Sequence, residues 1–219
     1  PFGNTITQIK VTGQNIADMF AKSLGSIVQE KDGKPVLDEN GQPLLEPSGG
    51  FLQVSGAKVY YDTTLPADKR ILGIEIKNPE TGKYEKLNLA KTYYLTTNDF
   101  LAAGGDGYSM LGGAREEGPS MDVAFADYLA KTDLTAYAVV NPNSRTISIS
   151  TAQYKKLQDQ AANQVKPNET GEKELVPAVQ TNTAQRTATI PVNVHKQFMP
   201  SSQKSLPETG TTDTTFISL

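Results

Sequence analysis

Aromatic side chains all but stop at residue 150. Thirteen of the sixteen in the chain, eight Tyr and five Phe, precede Ser150, and the remainder is rich in Thr, Gln, Asn, Ser and Pro. Burial of large apolar groups is what offsets the entropy lost when a backbone is ordered, so only residues 1–150 can be expected to build a core. Residues 151–205 read as a polar stalk, with a short helix predicted at its start from about Ala152 to Val165. A flexible stalk of about fifty residues has an end-to-end distance of roughly 40 Å.

Within residues 1–150 two periodicities alternate. Thr5 to Val11 alternates as a strand does, and then Ile16, Met19, Phe20, Leu24, Ile27 and Val28 recur at helical spacing behind Thr12, a candidate cap. Turn signals at Lys31 to Lys34 and Asp38 to Pro43 predict a hairpin-like excursion before Phe51. Strands are predicted at Val54 to Tyr61, Arg70 to Ile76 and Lys91 to Asn98, with a turn at Asn78-Pro79-Glu80-Thr81-Gly82 and a short extended piece between the last two. Beyond a glycine-rich loop, Ser120 is a candidate cap for a second helix carrying Met121, Phe125, Tyr128 and Leu129 on one face, and Arg145 to Ser150 reads as a last strand. The fold class is α/β in the α+β sense: a mixed sheet flanked by helices, with a disordered tail.

Charge and composition exclude several functions. With 21 Lys and Arg against 24 Asp and Glu, the chain has no surplus of cations to neutralise a phosphate backbone, and nucleic acid is not an expected partner. Without cysteine there is no disulfide, thiolate metal site or cysteine nucleophile. No apolar run reaches the roughly eighteen residues of a membrane helix, so no stable membrane span is expected. The chain opens at Pro1, with neither a methionine nor a leader, which suggests a piece of a longer protein.

Two segments carry more than structure, PFGNT at Pro1 to Thr5 and NDFLAAGGDGYSM at Asn98 to Met110. Together with NTITQIKVTGQNIADMF, GGFLQVSGAKVYYD and LAKTYYLTTNDFLAAGGDGY, in that order, they resemble the C-terminal, nucleotide-binding domain of the bacterial 5'-nucleotidase, UDP-sugar hydrolase and ecto-5'-nucleotidase family. The resemblance covers roughly residues 1–150. It implies that this domain holds the nucleoside, with the base between Phe2 and Phe100, Asn4 at the base edge and Asp106 on the ribose hydroxyls. Chemistry is consistent with those roles: an aromatic face stacks on any base for roughly 1 to 3 kcal/mol, and a carboxylate accepts from a vicinal diol while glycines allow close approach. Without the resemblance, Phe100 after a strand reads as core, Phe2 as packing, Asn4 as a turn residue and GGDG as a tight turn; one acid alone argues against a calcium loop.

The reaction implied is hydrolysis of nucleotides such as AMP to nucleoside and phosphate, at two divalent metal ions bound in a separate N-terminal domain that supplies aspartate, asparagine and histidine ligands. This chain has a single histidine, His195, in the stalk, so the chain alone is expected to be catalytically inert and to lack a metal site. Cyclic-nucleotide phosphodiesterase with 3'-nucleotidase activity, UDP-sugar hydrolysis and a non-catalytic surface-anchored binding or adhesin module are the alternatives. Upstream arginines and an asparagine of the family's nucleoside site also precede PFG, so nucleoside affinity is expected to be weakened and apolar surface exposed.

Residues 206–219 contain Leu206-Pro207-Glu208-Thr209-Gly210, a match to the LPxTG signal cut by sortases. The implied chemistry is cleavage between Thr209 and Gly210 and transfer to peptidoglycan, making sortase and the cell wall partners and the outer surface of a Gram-positive cell the location. The hydrophobic span and basic tail that usually complete such a signal do not follow.

Overall fold

A computed structural model describes residues 2–138, 144–167, 173–175 and 216–218. The chain divides into two compact units, residues 1–154 with 213–219, and residues 155–212. In the first unit β1 (Thr5–Thr12) leads directly into α1 (Gly13–Ser23). The short hairpin strands β2 (Glu30–Lys31) and β3 (Lys34–Pro35) follow, as the turn signals predict.

Next come β4 (Ala57–Tyr61), β5 (Ile71–Lys77), β6 (Tyr84–Lys86), β7 (Thr92–Asn98), α2 (Asp99–Ala102), β8 (Arg115–Ser120), α3 (Met121–Lys131) and β9 (Thr146–Ser148). The helix α4 (Thr151–Gln164) begins in this unit and continues into the second, which also holds the antiparallel pair β10 (Val165–Pro167) and β11 (Lys173–Leu175). A last short strand, β12 (Phe216–Ser218), belongs to the first unit.

The architecture is mixed α/β, but with two four-stranded sheets where the sequence suggested one. Their orders are β12-β7-β1-β8 and β6-β5-β4-β9, and each combines antiparallel pairs with one parallel edge strand. Strand alternation sends Ile9 and Val11 of β1, Tyr93 and Leu95 of β7, Val59 of β4 and Ile74 and Ile76 of β5 into one core. The α1 stripe of Ile16, Met19 and Phe20 fills the same core, each side chain at most 1% exposed.

Both ends of α1 are satisfied. Thr12 Oγ1 accepts from the Asn15 amide and Asn15 Oδ1 accepts from the Thr12 amide, a reciprocal cap, while Gly13 and Gln14 donate to the carbonyls of Lys91 and Leu89. A Cβ at Gly13 would overlap the Asn88 carbonyl, which is why the chain can turn so closely there. The helix ends at Ser23, so Ile27 and Val28 fall outside it despite their spacing; Ile27 is 74% exposed and Val28 bridges Leu45. The physical reason is Arg70, a buried cation whose guanidinium donates to the carbonyls of Leu24, Ser26 and Leu65 and turns the chain away from the helical path.

One further expectation is corrected. Ser120 precedes α3 but does not cap it: its hydroxyl donates to the Asp122 carboxylate instead of accepting from the first-turn amides. The stripe of α3 is not core-facing, since none of its residues is buried. The helix predicted near Ala152 to Val165 forms as α4. Its start is held by Asp62, 3% exposed, whose Oδ2 accepts from both the amide and the hydroxyl of Thr151, and by Tyr154, whose hydroxyl fills the space a Cβ on Gly73 would need.

Candidate functional site

The end of the β1–β7 pair gathers most of the residues singled out from sequence. Antiparallel register places Ile6 opposite Asn98, so the residues preceding β1 and those following β7 emerge side by side. Asn98 turns the chain into α2, its Oδ1 accepting from the Leu101 amide at 2.7 Å. Asp99, the first helical residue, reaches back across the pair: its Oδ1 accepts from Asn4 Nδ2 at 2.7 Å and from the Thr5 amide at 3.2 Å. Asn4 is held on its other side as well, its carbonyl accepting from the Met121 amide.

These bonds favour the ionised form of Asp99. The Asn4 amide is the largest influence on its carboxyl and holds it below the usual carboxylate range; desolvation opposes this, and the amides of Thr5, Phe100 and Asp99 itself reinforce it.

Phe100 does not enter the core; it is 51% exposed. Its ring lies flat against the glycine loop, so that a Cβ on Gly105 would fall 2.5 to 2.6 Å from three ring atoms. That loop is wound through left-handed backbone at Gly104 (φ 89°), Asp106 (φ 52°) and Gly107 (φ 77°). A non-glycine residue at φ above zero is uncommon and costs backbone energy that the surroundings must offset. The loop is anchored next to this turn by Tyr108, fully buried, whose hydroxyl donates to the Gly50 carbonyl and whose ring has the Lys22 ammonium 5.8 Å from its centre. Burial raises the Tyr108 phenol above its ordinary value, a hydrogen bond with Ser23 opposes that, and the Asp106 charge adds to it. Asp106 itself faces solvent.

The fold thus brings Asn4, Phe100 and Asp106 to one rim, with Asn4 tied to Asp99 and the Phe100 ring resting on the loop that carries Asp106. Phe2 leaves the same corner two residues before Asn4, after Gly3 at φ 72°, with its ring 99% exposed. Asp99 was not singled out from sequence, because its partner lies 95 residues away and no spacing rule links them. Thr209, Gly210 and His195 lie outside the described residues.

Among the described residues no three His, Asp or Glu side chains gather as a metal site, and no helix is long and apolar enough to cross a membrane. A polar cleft of about 270 Å³ lined by Ile76, Asn78, Glu85, Lys86, Asn88, Lys91 and Tyr93 shares no residue with the rim.

The corner thus combines a solvent-facing phenylalanine after the strand pair, an acid on a left-handed glycine turn and an asparagine tied to Asp99, all in a mixed α/β domain. Residues 1–113 match the family described as 5'-nucleotidase, C-terminal domain, and the chain belongs to that family. A snake venom 5'-nucleotidase of Naja atra is 32% identical over 136 residues, covering 60% of this chain and 22% of that protein. A trifunctional nucleotide phosphoesterase of Bacillus subtilis is 30% identical over 128 residues, covering 58% of this chain and 7% of that protein. The crystal structure of a 5'-nucleotidase precursor from Thermus thermophilus superposes with a TM-score of 0.49 and 29% identity, covering 68% of this chain and 26% of that one. The chain therefore spans about a fifth or less of the length of these two curated relatives.

Proposed function

We propose that this chain is the nucleoside-holding part of a cell-surface 5'-nucleotidase that hydrolyses extracellular nucleotides such as AMP to nucleoside and phosphate. Phe2 and Phe100 stack on the two faces of the base, Asn4 meets its edge and Asp106 accepts from the ribose hydroxyls. The observation that carries this reading is Phe100, an aromatic ring kept out of the core and laid on the glycine turn that presents Asp106.

The hydrolysis itself belongs to two divalent metal ions in another domain of the intact protein; the described residues here offer no ligand set, and the role of this chain is to bind and orient. A stalk ending in the sorting motif at Leu206 to Gly210, cleaved by sortase between Thr209 and Gly210, would join the enzyme to peptidoglycan outside a Gram-positive cell. The description of the Bacillus subtilis relative as a trifunctional nucleotide phosphoesterase favours a wider range of nucleotide phosphoesters as a second reading.

In the intact enzyme Phe100→Ala should raise KM for AMP by about tenfold with kcat little changed, because stacking is present in ground and transition states alike. A KM that does not move counts against the reading. A surface module without nucleotidase function would give no heat with adenosine in calorimetry on the complete C-terminal domain.

A further inference from the structure

The orientation of the Asn4 side chain is dictated by a neighbour. A carboxylate only accepts hydrogen bonds, so the group that Asn4 turns to Asp99 must be its NH2. One amide hydrogen is thereby used, and the second hydrogen and the Oδ1 oxygen remain. With its main chain fixed by the Met121 amide and the adjoining Thr5 amide bound to the same Asp99 oxygen, Asn4 has little freedom to turn over.

That arrangement has a consequence for base selection. An asparagine amide pairs with adenine by accepting from the N6 amine while donating to N7. A purine with an oxo group at position 6 would set two acceptors against each other, and a site built to bond one group discriminates against the analogue that leaves its polar atoms unmatched. An amide free to rotate by half a turn would serve either base, offering NH2 to the oxo group. The group that decides between the two cases is Asp99.

We propose that Asp99 is a positioning residue for base recognition: by holding the Asn4 amide in one orientation it directs the Asn4 oxygen to the ligand and favours 6-amino over 6-oxo purines. Asp99 acts through Asn4 and does not touch the reacting atoms. This inference rests on the nucleoside reading above.

The decisive variant is Asp99→Asn in the intact enzyme, an isostere whose own amide can offer either a donor or an acceptor to Asn4. The KM ratio of IMP to AMP should fall toward one by about tenfold. In an Asn4→Ser background the same Asp99 change should leave the ratio where Asn4→Ser alone puts it, since a residue acting through Asn4 has nothing left to orient. The Asn4 side-chain amide resonances in this chain should also shift on Asp99→Asn, a readout that needs no turnover.

If Asp99→Asn raises both KM values by the same factor, Asp99 is only a structural tie and the proposal falls. It falls equally if neither the ratio nor the resonances move. Should that variant not fold, Asp99→Ser keeps an acceptor for the Thr5 amide and carries the same two readouts. An unaltered KM in Phe100→Ala would overturn the nucleoside reading itself; a raised KM there with an unaltered IMP to AMP ratio in Asp99→Asn overturns this inference alone.

Discussion

Helices α1 and α3 are both eleven residues long, each follows a strand of the same sheet, and each carries an apolar stripe, yet they end in opposite environments. Five residues of α1 are buried, whereas α3 leaves Met121, Val123, Phe125 and Leu129 exposed. The difference lies in what each helix meets. The loop at residues 88–91, Arg70 and the inner faces of the strands close around α1, whereas the first amide of α3, that of Met121, donates to the Asn4 carbonyl just ahead of β1. An amphipathic stripe states which side of a helix prefers to be covered, and only a partner decides that it is.

The largest effect expected is from Phe20→Ala, which should cost about 3 to 5 kcal/mol in urea unfolding, against about 0.5 kcal/mol or less for Phe125→Ala. Equal losses would mean that α3 is packed in solution. Arg70→Ala comes next, at about 2 to 3 kcal/mol, because buried carbonyls at the α1 terminus lose their donor; a wild-type denaturation midpoint would show that water takes over that role.

At the N-terminal ends, Thr12→Ala should lose about 1 kcal/mol while Ser120→Ala changes stability by a few tenths at most, since only the former hydroxyl accepts from a helix amide. The smallest effect concerns α4. Burial alone would raise the Asp62 carboxyl, but the hydrogen bonds from Thr64 and Thr151 outweigh it and hold it below its usual value. Its contribution is therefore complete above a pH of about 4 and is lost as pH falls through the lowered folded value, so the Thr151 amide should lose exchange protection only in stronger acid. Loss of protection between pH 5 and 7 would rule Asp62 out as the holding group.

Much of this was legible in the chain itself. The shift from alternation to helical spacing at Thr12 marks β1 and α1, and the Asn78 to Gly82 turn and the α4 helix form where turn chemistry and spacing place them. What was not legible depends on distant partners. Ile27 and Val28 continue the α1 spacing, and it is a guanidinium more than forty residues on that ends the helix. The strand Arg115–Ser120 carries charges, a glycine and a proline, and forms because it lies at a sheet edge, where a missing amide and a polar face are tolerated. At the rim, Phe2, Asn4, Phe100 and Asp106 could be named from local motifs, but Asp99 had no signal until the register of β1 on β7 set it beside Asn4.

The notch at Gly73 has a mechanical meaning. With the Tyr154 phenol keyed into β5 and Thr151 held twice by Asp62, a pull on the chain beyond Tyr154 is met by these side chains before it reaches β9. Load entering there divides between β5, through the phenol, and β4, through Asp62 just beyond its last residue.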